Sequence, residues 1–148
     1  MNQAQQTETI RDSRILGACL CGAVRFALKS MDNAVICHCK QCQKAQGAAF
    51  GCNFPVLISD FEYLSGKHKI REFKSSSSKV RVFCSVCGSP IFSRKDHSDT
   101  IRVRSGTLDT TQSLNVVGHI YAGSAAKWAP ILDNLPQHEE LEPGRSST

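Results

Sequence analysis

The sequence predicts an all-β fold, a single antiparallel domain with zinc knuckles. Three observations predict it: apolar and polar residues alternate in short runs, turn signals separate the runs, and the cysteines fall in tight clusters. The length of 148 residues is what one compact domain usually takes. We therefore expect one unit in which zinc is held at turns between short strands.

Apolar alternation places the predicted strands. The alternating positions are Val24, Phe26 and Leu28; Phe61 and Tyr63; Ile70 and Phe73; Val80 and Val82; Ile101 and Val103; Val117 and Ile120. Turn signals at residues 65–66, 95–99 and 105–106 lie between these runs, as in antiparallel domains. The serine run at 75–78 is predicted to be a hairpin loop.

Three segments fall outside this pattern. Residues 40–46 (KQCQKAQ) have helical character, with Gly47 in the C-cap position, and are equally compatible with a cysteine knuckle. Residues 1–14 and 137–148 lack apolar periodicity, so we predict flexible tails on a domain at 15–136.

Composition and charge disfavour several function classes. The formal net charge is +5, but seven thiolates holding two divalent ions would lower it to about +2. Lys and Arg are dispersed, so we expect no nucleic-acid partner. No stretch is apolar enough to span a membrane and the start is polar, so we expect a cytoplasmic protein with reduced thiols.

Seven of the eight cysteines form three clusters. They are Cys19 and Cys21; Cys37, Cys39 and Cys42; Cys84 and Cys87. Closely spaced cysteines at a turn can present their thiolates to one ion, and Gly88 permits the positive φ that turns the chain back. Two pairs and one triplet divide most simply into one closed four-cysteine site and one three-cysteine site. Three protein ligands leave an open position, the signature of catalytic zinc.

Other residues leave alternatives. Cys52 either closes the second site, making both zinc ions structural, or is an ordinary buried thiol. In extended backbone His38 points away from a metal held by Cys37 and Cys39, so a supporting or packing role is favoured. His119 is predicted to be a satisfied, partly buried histidine. The sequence has no phosphate loop, serine triad order or paired carboxylates, so any chemistry must use the metal or a thiol.

Three motifs resemble those of the glutathione-dependent formaldehyde-activating enzyme family, which also includes centromere protein V-like proteins. The motifs are GACLCGAVRF at 17–26, CHCKQCQKAQG at 37–47 and FCSVCGSPIF at 83–92. Residues 106–109 (GTLD), residues 119–121 (HIY) and Trp128 also resemble family features, so the similarity spans about 15–136.

This resemblance implies a tent-like arrangement of antiparallel sheets and two zinc ions per chain. It assigns a structural zinc to Cys19, Cys21, Cys84 and Cys87, and a catalytic-type zinc to Cys37, Cys39 and Cys42. It also implies an S-(hydroxymethyl)glutathione synthase, a carbon–sulfur lyase that joins formaldehyde to the glutathione thiol. The alternative is a binding module with two structural zinc ions and no catalysis.

A small-molecule thiol is the expected partner, and the family resemblance points to glutathione. A thiol coordinated at the open position would be deprotonated near neutral pH. Glutathione also carries two carboxylates, for which Lys40 and Lys44 beside the cysteine triplet are candidate partners.

Overall fold

The computed structural model describes residues 13–109 and 113–145. Within them the chain is mostly strands with one short α-helix, which confirms the all-β class. The strands are β1 (Ile15–Ala18), β2 (Arg25–Leu28), β3 (Ala34–Cys37), β4 (Gly51–Leu57), β5 (Phe61–Ser65), β6 (Ile70–Lys74), β7 (Lys79–Cys84), β8 (Pro90–Lys95), β9 (Thr100–Arg104) and β10 (Val116–Ile120); the helix is α1 (Lys40–Gln46). Strands β1, β3, β4 and β8 lie outside the alternating runs.

The strands form two sheets. One has three strands in the order β1-β2-β5, and the other has seven in the order β10-β3-β4-β9-β8-β7-β6. The pairs are antiparallel except that β10 runs parallel to β3. That parallel pair departs from the predicted antiparallel arrangement, and it brings the end of β10 beside the cysteine triplet that follows β3.

The core lies between the two sheets. Phe26 of β2 stacks on Phe61 with ring centroids 5.0 Å apart, and Phe61 meets Phe92 of β8 edge-on at 5.2 Å. Phe54 and Val103 belong to the same buried cluster. Burying one such side chain stabilises the fold by about 1.5–3 kcal/mol, so this layer holds the sheets together.

The other face of the large sheet carries polar and charged residues. Across β4, β9, β8 and β7, four partners in register share this face: Pro55, Arg102, Ser93 and Arg81. Because successive side chains of a strand alternate between faces, the neighbouring row of Phe54, Val103, Phe92 and Val82 enters the core. The sheet therefore separates an apolar side from a cationic side.

Helix α1 is fixed at both ends by residues visible in the sequence. The Cys42 N–H donates to Cys39 Sγ at the N-cap, and Gly47 ends the helix with a φ of 60°. A glycine adopts that left-handed conformation without steric cost. The segment is thus both the predicted helix and a cysteine knuckle.

Residues after β10 run beside the sheet. The His138 N–H donates to the His119 carbonyl at 2.8 Å, and the Tyr121 N–H donates to the Glu140 carbonyl at 3.0 Å. A tail at 137–148 remains a prediction, with its first residues placed against β10; residues 1–12 and 146–148 of the two predicted tails lie outside the described part. Among residues 13–109 and 113–145, no helix is long and apolar enough to cross a membrane.

Candidate functional site

The first cysteine cluster joins the two sheets. The Sγ atoms of Cys19, Cys21, Cys84 and Cys87 all lie within 4.8 Å of one another. Cys21 Sγ is 3.6 Å from Cys19 Sγ and 3.9 Å from Cys84 Sγ. Sulfurs bound at 2.3 Å to a tetrahedral zinc lie about 3.8 Å apart, so this donor set fits the ion.

Hydrogen-bonding groups surround the first cluster. The Val24 N–H donates to Cys19 Sγ at 3.2 Å, and the Cys87 thiol donates to the Ser89 hydroxyl oxygen at 3.2 Å. The bonds with Ser89 lower the pKa of Cys87 to about 5. Gly88 has a φ of 77° and its N–H donates to the Cys84 carbonyl, which closes the turn beneath the sulfurs. These contacts favour the thiolate of Cys87, the form that binds metal, whereas burial and the neighbouring thiols raise the pKa of Cys21 to about 11.

The second cluster is local. Cys37 ends β3, Cys39 caps α1, and Cys42 lies in the first turn of that helix; their Sγ atoms lie within 4.8 Å of one another. Hydrogen bonds with Cys37 and Cys39 lower the pKa of Cys42 to about 2, whereas bonds with Cys39 and Cys42 raise the pKa of Cys37. Of these two thiols, Cys42 therefore loses its proton more readily than Cys37. Three crowded thiolates need a soft cation, which is a requirement that zinc fits.

A groove opens beside the second cluster. It encloses about 1090 Å³ between the cationic face of the large sheet and the segment after residue 137. Besides the three cysteines, its lining includes Lys79, Arg81, Ser93, Arg102, Arg104 and Tyr121. The first cluster does not line this groove. Among the described residues the two clusters thus differ in access: the three-cysteine cluster lines this groove, which is large enough for a small molecule, and the four-cysteine cluster does not.

Tyr121 has a backbone conformation that is rare for its residue type. It follows β10 directly, lines the groove, and has a φ of 51°, in the left-handed region. Burial, with the nearby Cys37, raises the pKa of Tyr121, so its hydroxyl keeps its proton at neutral pH. Such backbone outliers cluster at functional sites, and this one puts a hydroxyl donor beside the cysteines.

Behind the cysteine triplet lies a buried histidine pair. His38 Nε2 is 2.8 Å from His119 Nδ1, and His119 Nε2 is 3.0 Å from the Asp133 carboxylate. Both rings are almost fully buried. Gln43 ties the same region together by donating to the carbonyls of His38 and Ser124. These contacts fix the backbone that carries Cys37 and Cys39.

Comparison with known proteins identifies the family. The family model described as "Glutathione-dependent formaldehyde-activating enzyme" matches residues 14–124. The chain belongs to this family. Its fold is also similar to a Rhodobacter sphaeroides protein solved by crystallography as a structural-genomics target, with a TM-score of 0.58 and 17% identity. That likeness covers 71% of this chain and 99% of the other, and it concerns the fold alone.

In this formaldehyde-activating family member, the predicted cysteines come together as the sequence divides them. Cys52 lies outside both clusters; it is a partly buried residue of β4 packed against the core. His38 bonds to His119 and is not grouped with the sulfurs. His119 is satisfied by two partners, as predicted, but it is almost fully buried where partial burial was predicted. Lys40 lines the groove, whereas Lys44 lies outside it.

The cationic face of the large sheet, which forms the floor of the groove, was not predicted. Arg81, Arg102 and Arg104 look dispersed along the sequence, but the register of β7, β8 and β9 puts them on one face. The sequence does carry a partial signal for this face. Lys79 and Arg81 are two residues apart in one predicted strand, and Arg102 and Arg104 are two residues apart in another. Cations at such spacing indicate one charged face of a strand.

Proposed function

We propose that this protein is a zinc-dependent carbon–sulfur lyase-type enzyme that forms or cleaves the bond between a thiol, with glutathione as the leading candidate, and formaldehyde. The observation that carries the proposal is the cluster of three cysteine sulfurs that faces the groove. A fourth ligand from the groove side would be a small molecule, because Cys52 packs on the opposite face of β4.

The clustered cysteines would form two separate metal sites. Cys19, Cys21, Cys84 and Cys87 would hold a structural zinc, and Cys37, Cys39 and Cys42 would hold the second. When bound at the second cluster, zinc lowers the pKa of a thiol ligand, so that the thiolate is present at neutral pH. Two zinc ions per chain follow from this division.

The groove residues would assist the addition of the thiolate to formaldehyde. The thiolate sulfur gives an electron pair to the formaldehyde carbon, the C–S bond forms, and the C=O π pair moves to oxygen, which then takes one proton. Tyr121 lines the groove and keeps its proton at neutral pH, so its hydroxyl is placed to donate to that oxygen. Cleavage of the adduct is the reverse.

The gain over the uncatalysed reaction would come from ionisation and positioning. A low pKa raises the fraction of thiol that is ionised, but a stabilised thiolate is less nucleophilic than a free one, so the gain in rate from the low pKa alone is small. Holding sulfur and aldehyde together in the groove would contribute more of the rate acceleration. The His38–His119–Asp133 contacts and Gln43 keep the cysteine triplet in one position for this purpose.

We also propose a cytoplasmic location and a domain at 15–136. All eight cysteines lie in the described residues and carry free thiols, and a reducing compartment keeps them available for metal. The size of the groove suits a small thiol adduct, and we propose no nucleic-acid partner.

The test is the exchange rate of the adduct at equilibrium. Glutathione, formaldehyde and S-(hydroxymethyl)glutathione interconvert in solution, and exchange NMR measures how fast. We expect the zinc-loaded protein to accelerate the exchange, and Cys39→Ser protein to leave it at the background rate. Cys52→Ala is the matched cysteine control and should retain the acceleration. A background rate with the wild-type protein, at two zinc ions per chain, would favour a binding module instead.

A further inference from the structure

The groove floor contains buried polar groups with no partner in the described residues. They are both terminal nitrogens of Arg81, the Nε of Arg104 and the Oγ of Ser93. Arg104 is 4% exposed and Ser93 is 1% exposed. In folded proteins nearly all buried polar groups make hydrogen bonds, so we expect each of these atoms to bind an anion or a water molecule.

These groups lie together. Arg81 and Ser93 are direct partners between β7 and β8, and Ser93 is opposite Arg102 on β9, two residues from Arg104. All four residues line the groove. Neighbouring strands are about 4.8 Å apart, so the three guanidinium stems rise within roughly 10 Å of one another.

Arg104 remains charged despite its burial. Burial lowers the pKa of Arg104 to about 10, which still leaves the guanidinium protonated at neutral pH. The Nε of this buried guanidinium has no hydrogen-bond partner in the described residues, and a buried charge whose donors are not all satisfied is costly. Something must offset that cost in the working protein.

The cysteine cluster supplies only part of the offset. Three thiolates with one divalent ion carry a single negative charge, and Glu142 adds another through its contact with Arg102 at 3.3 Å. Against them stand Lys79, Arg81, Arg102 and Arg104 on the strands, and Arg145 pairs with the same Glu142 carboxylate at 3.3 Å. At least two positive charges are therefore left over in the groove.

Glu142 also indicates which anion the floor accepts. It belongs to the segment that borders the groove, and its carboxylate accepts a hydrogen bond from the Arg102 guanidinium. A planar guanidinium matches a carboxylate in shape, and Arg81 offers both of its terminal nitrogens for such a pair.

We infer that Arg81, Ser93 and Arg104 form a carboxylate-binding subsite for the thiol substrate, whose sulfur reaches the Cys37, Cys39 and Cys42 cluster. This inference rests on the proposed function. The cluster follows β3; β9, which carries Arg104, is two strands away in the sheet, about 10 Å, and β7, which carries Arg81, is four strands away, about 19 Å along the sheet. The subsite therefore selects thiols whose carboxylate is several bonds from sulfur, as in a γ-glutamyl tripeptide, over short thiols such as cysteine.

The experiment compares binding of four probes to zinc-loaded protein by calorimetry. The probes are glutathione, its dimethyl ester, S-methylglutathione and inorganic phosphate. We expect Arg81→Gln to weaken glutathione and S-methylglutathione binding by about 10- to 100-fold, and wild-type protein to bind the dimethyl ester equally weakly. Arg71→Gln removes the same charge from the exposed strand β6 and should change binding less than twofold.

The outcomes separate this inference from the proposed function. S-methylglutathione has no free thiol, so Arg81-dependent binding of it supports the subsite even where the exchange assay shows no catalysis. Glutathione binding that is unchanged by Arg81→Gln, with two zinc ions retained, would overturn the subsite and leave the catalytic proposal standing. Arg81-dependent binding of phosphate alone would overturn the assignment to carboxylates. Arg104→Gln repeats the test at the more buried position.

Discussion

The two cysteine clusters differ in how far apart along the chain their members lie. Cys21 and Cys84 are 63 residues apart: Cys21 lies in the turn after β1 of the small sheet, and Cys84 ends β7 of the large sheet. Cys37, Cys39 and Cys42, by contrast, lie within six consecutive residues. A long-range cluster crosslinks the fold, and a local one does not. We therefore expect the same ligand chemistry to stabilise the fold at the first cluster and to leave a coordination position open to the groove at the second.

The largest expected effect is the loss of the long-range cluster. Cys84→Ser or Cys21→Ser should give insoluble or zinc-poor protein. Closing a loop of about 60 residues contributes about 4 kcal/mol by chain entropy, a large share of a domain's total stability. Soluble yield, thermal melting and zinc per chain measure it. Val86→Ala changes an exposed residue of the same turn and should behave like wild type; cooperative melting of both cysteine variants near the wild-type temperature would contradict the crosslink.

Breaking the local cluster should separate zinc content from folding. Cys39→Ser should lower zinc from two ions per chain to one and abolish adduct exchange, with the melting transition kept. Serine is a good helix N-cap, so α1 retains its first-turn bond. Metal analysis and circular dichroism check this, with Lys44→Ala on the same helix as control. Unfolding of Cys39→Ser protein would remove the distinction between the clusters.

A smaller effect concerns the groove beside the local cluster. Tyr121→Phe removes the hydroxyl expected to donate to the aldehyde oxygen, and the adduct exchange rate should fall by about 10- to 100-fold. Zinc content should stay at two per chain. Tyr63→Phe removes the other tyrosine hydroxyl, which is buried without a partner in the described residues and far from the groove lining. Equal rates for the two variants would argue against the donor role.

The smallest effect should come from the cysteine outside both clusters. Cys52→Ala removes a partly buried group from the core and should cost about 1 kcal/mol of unfolding free energy. Zinc should remain at two ions per chain. Denaturant titration and metal analysis measure the two quantities; zinc loss here would mean that Cys52 is a ligand after all.

The cysteine clusters were predictable because ligand spacing is a local property of sequence. Strands β7 and β9 were predictable too, since one face of each is apolar. Strand β4 was not, because Pro55 argues against a central strand. β3 pairs with β4 only at residues 51–53. Pro55, which has no backbone N–H to donate, therefore lies beyond the end of that pairing.

The groove could not be predicted from sequence. Its floor depends on the register among β7, β8 and β9, and no local pattern fixes which residues of three strands stand opposite one another. The bond between His38 and His119 likewise depends on the parallel pairing of β10 with β3, across 81 residues. Sequence spacing thus predicted the cysteine clusters, while long-range pairing created their surroundings.

The most direct test of the difference between the clusters is the sulfur coordination of zinc in the wild-type protein. X-ray absorption at the zinc edge reports the mean number of sulfur ligands per ion. One closed and one open site predict about 3.5 sulfurs per zinc, rising towards four when glutathione is added. A mean of four sulfurs before any thiol is added, unchanged by glutathione, would show that both sites are closed and would contradict an open position at the three-cysteine site.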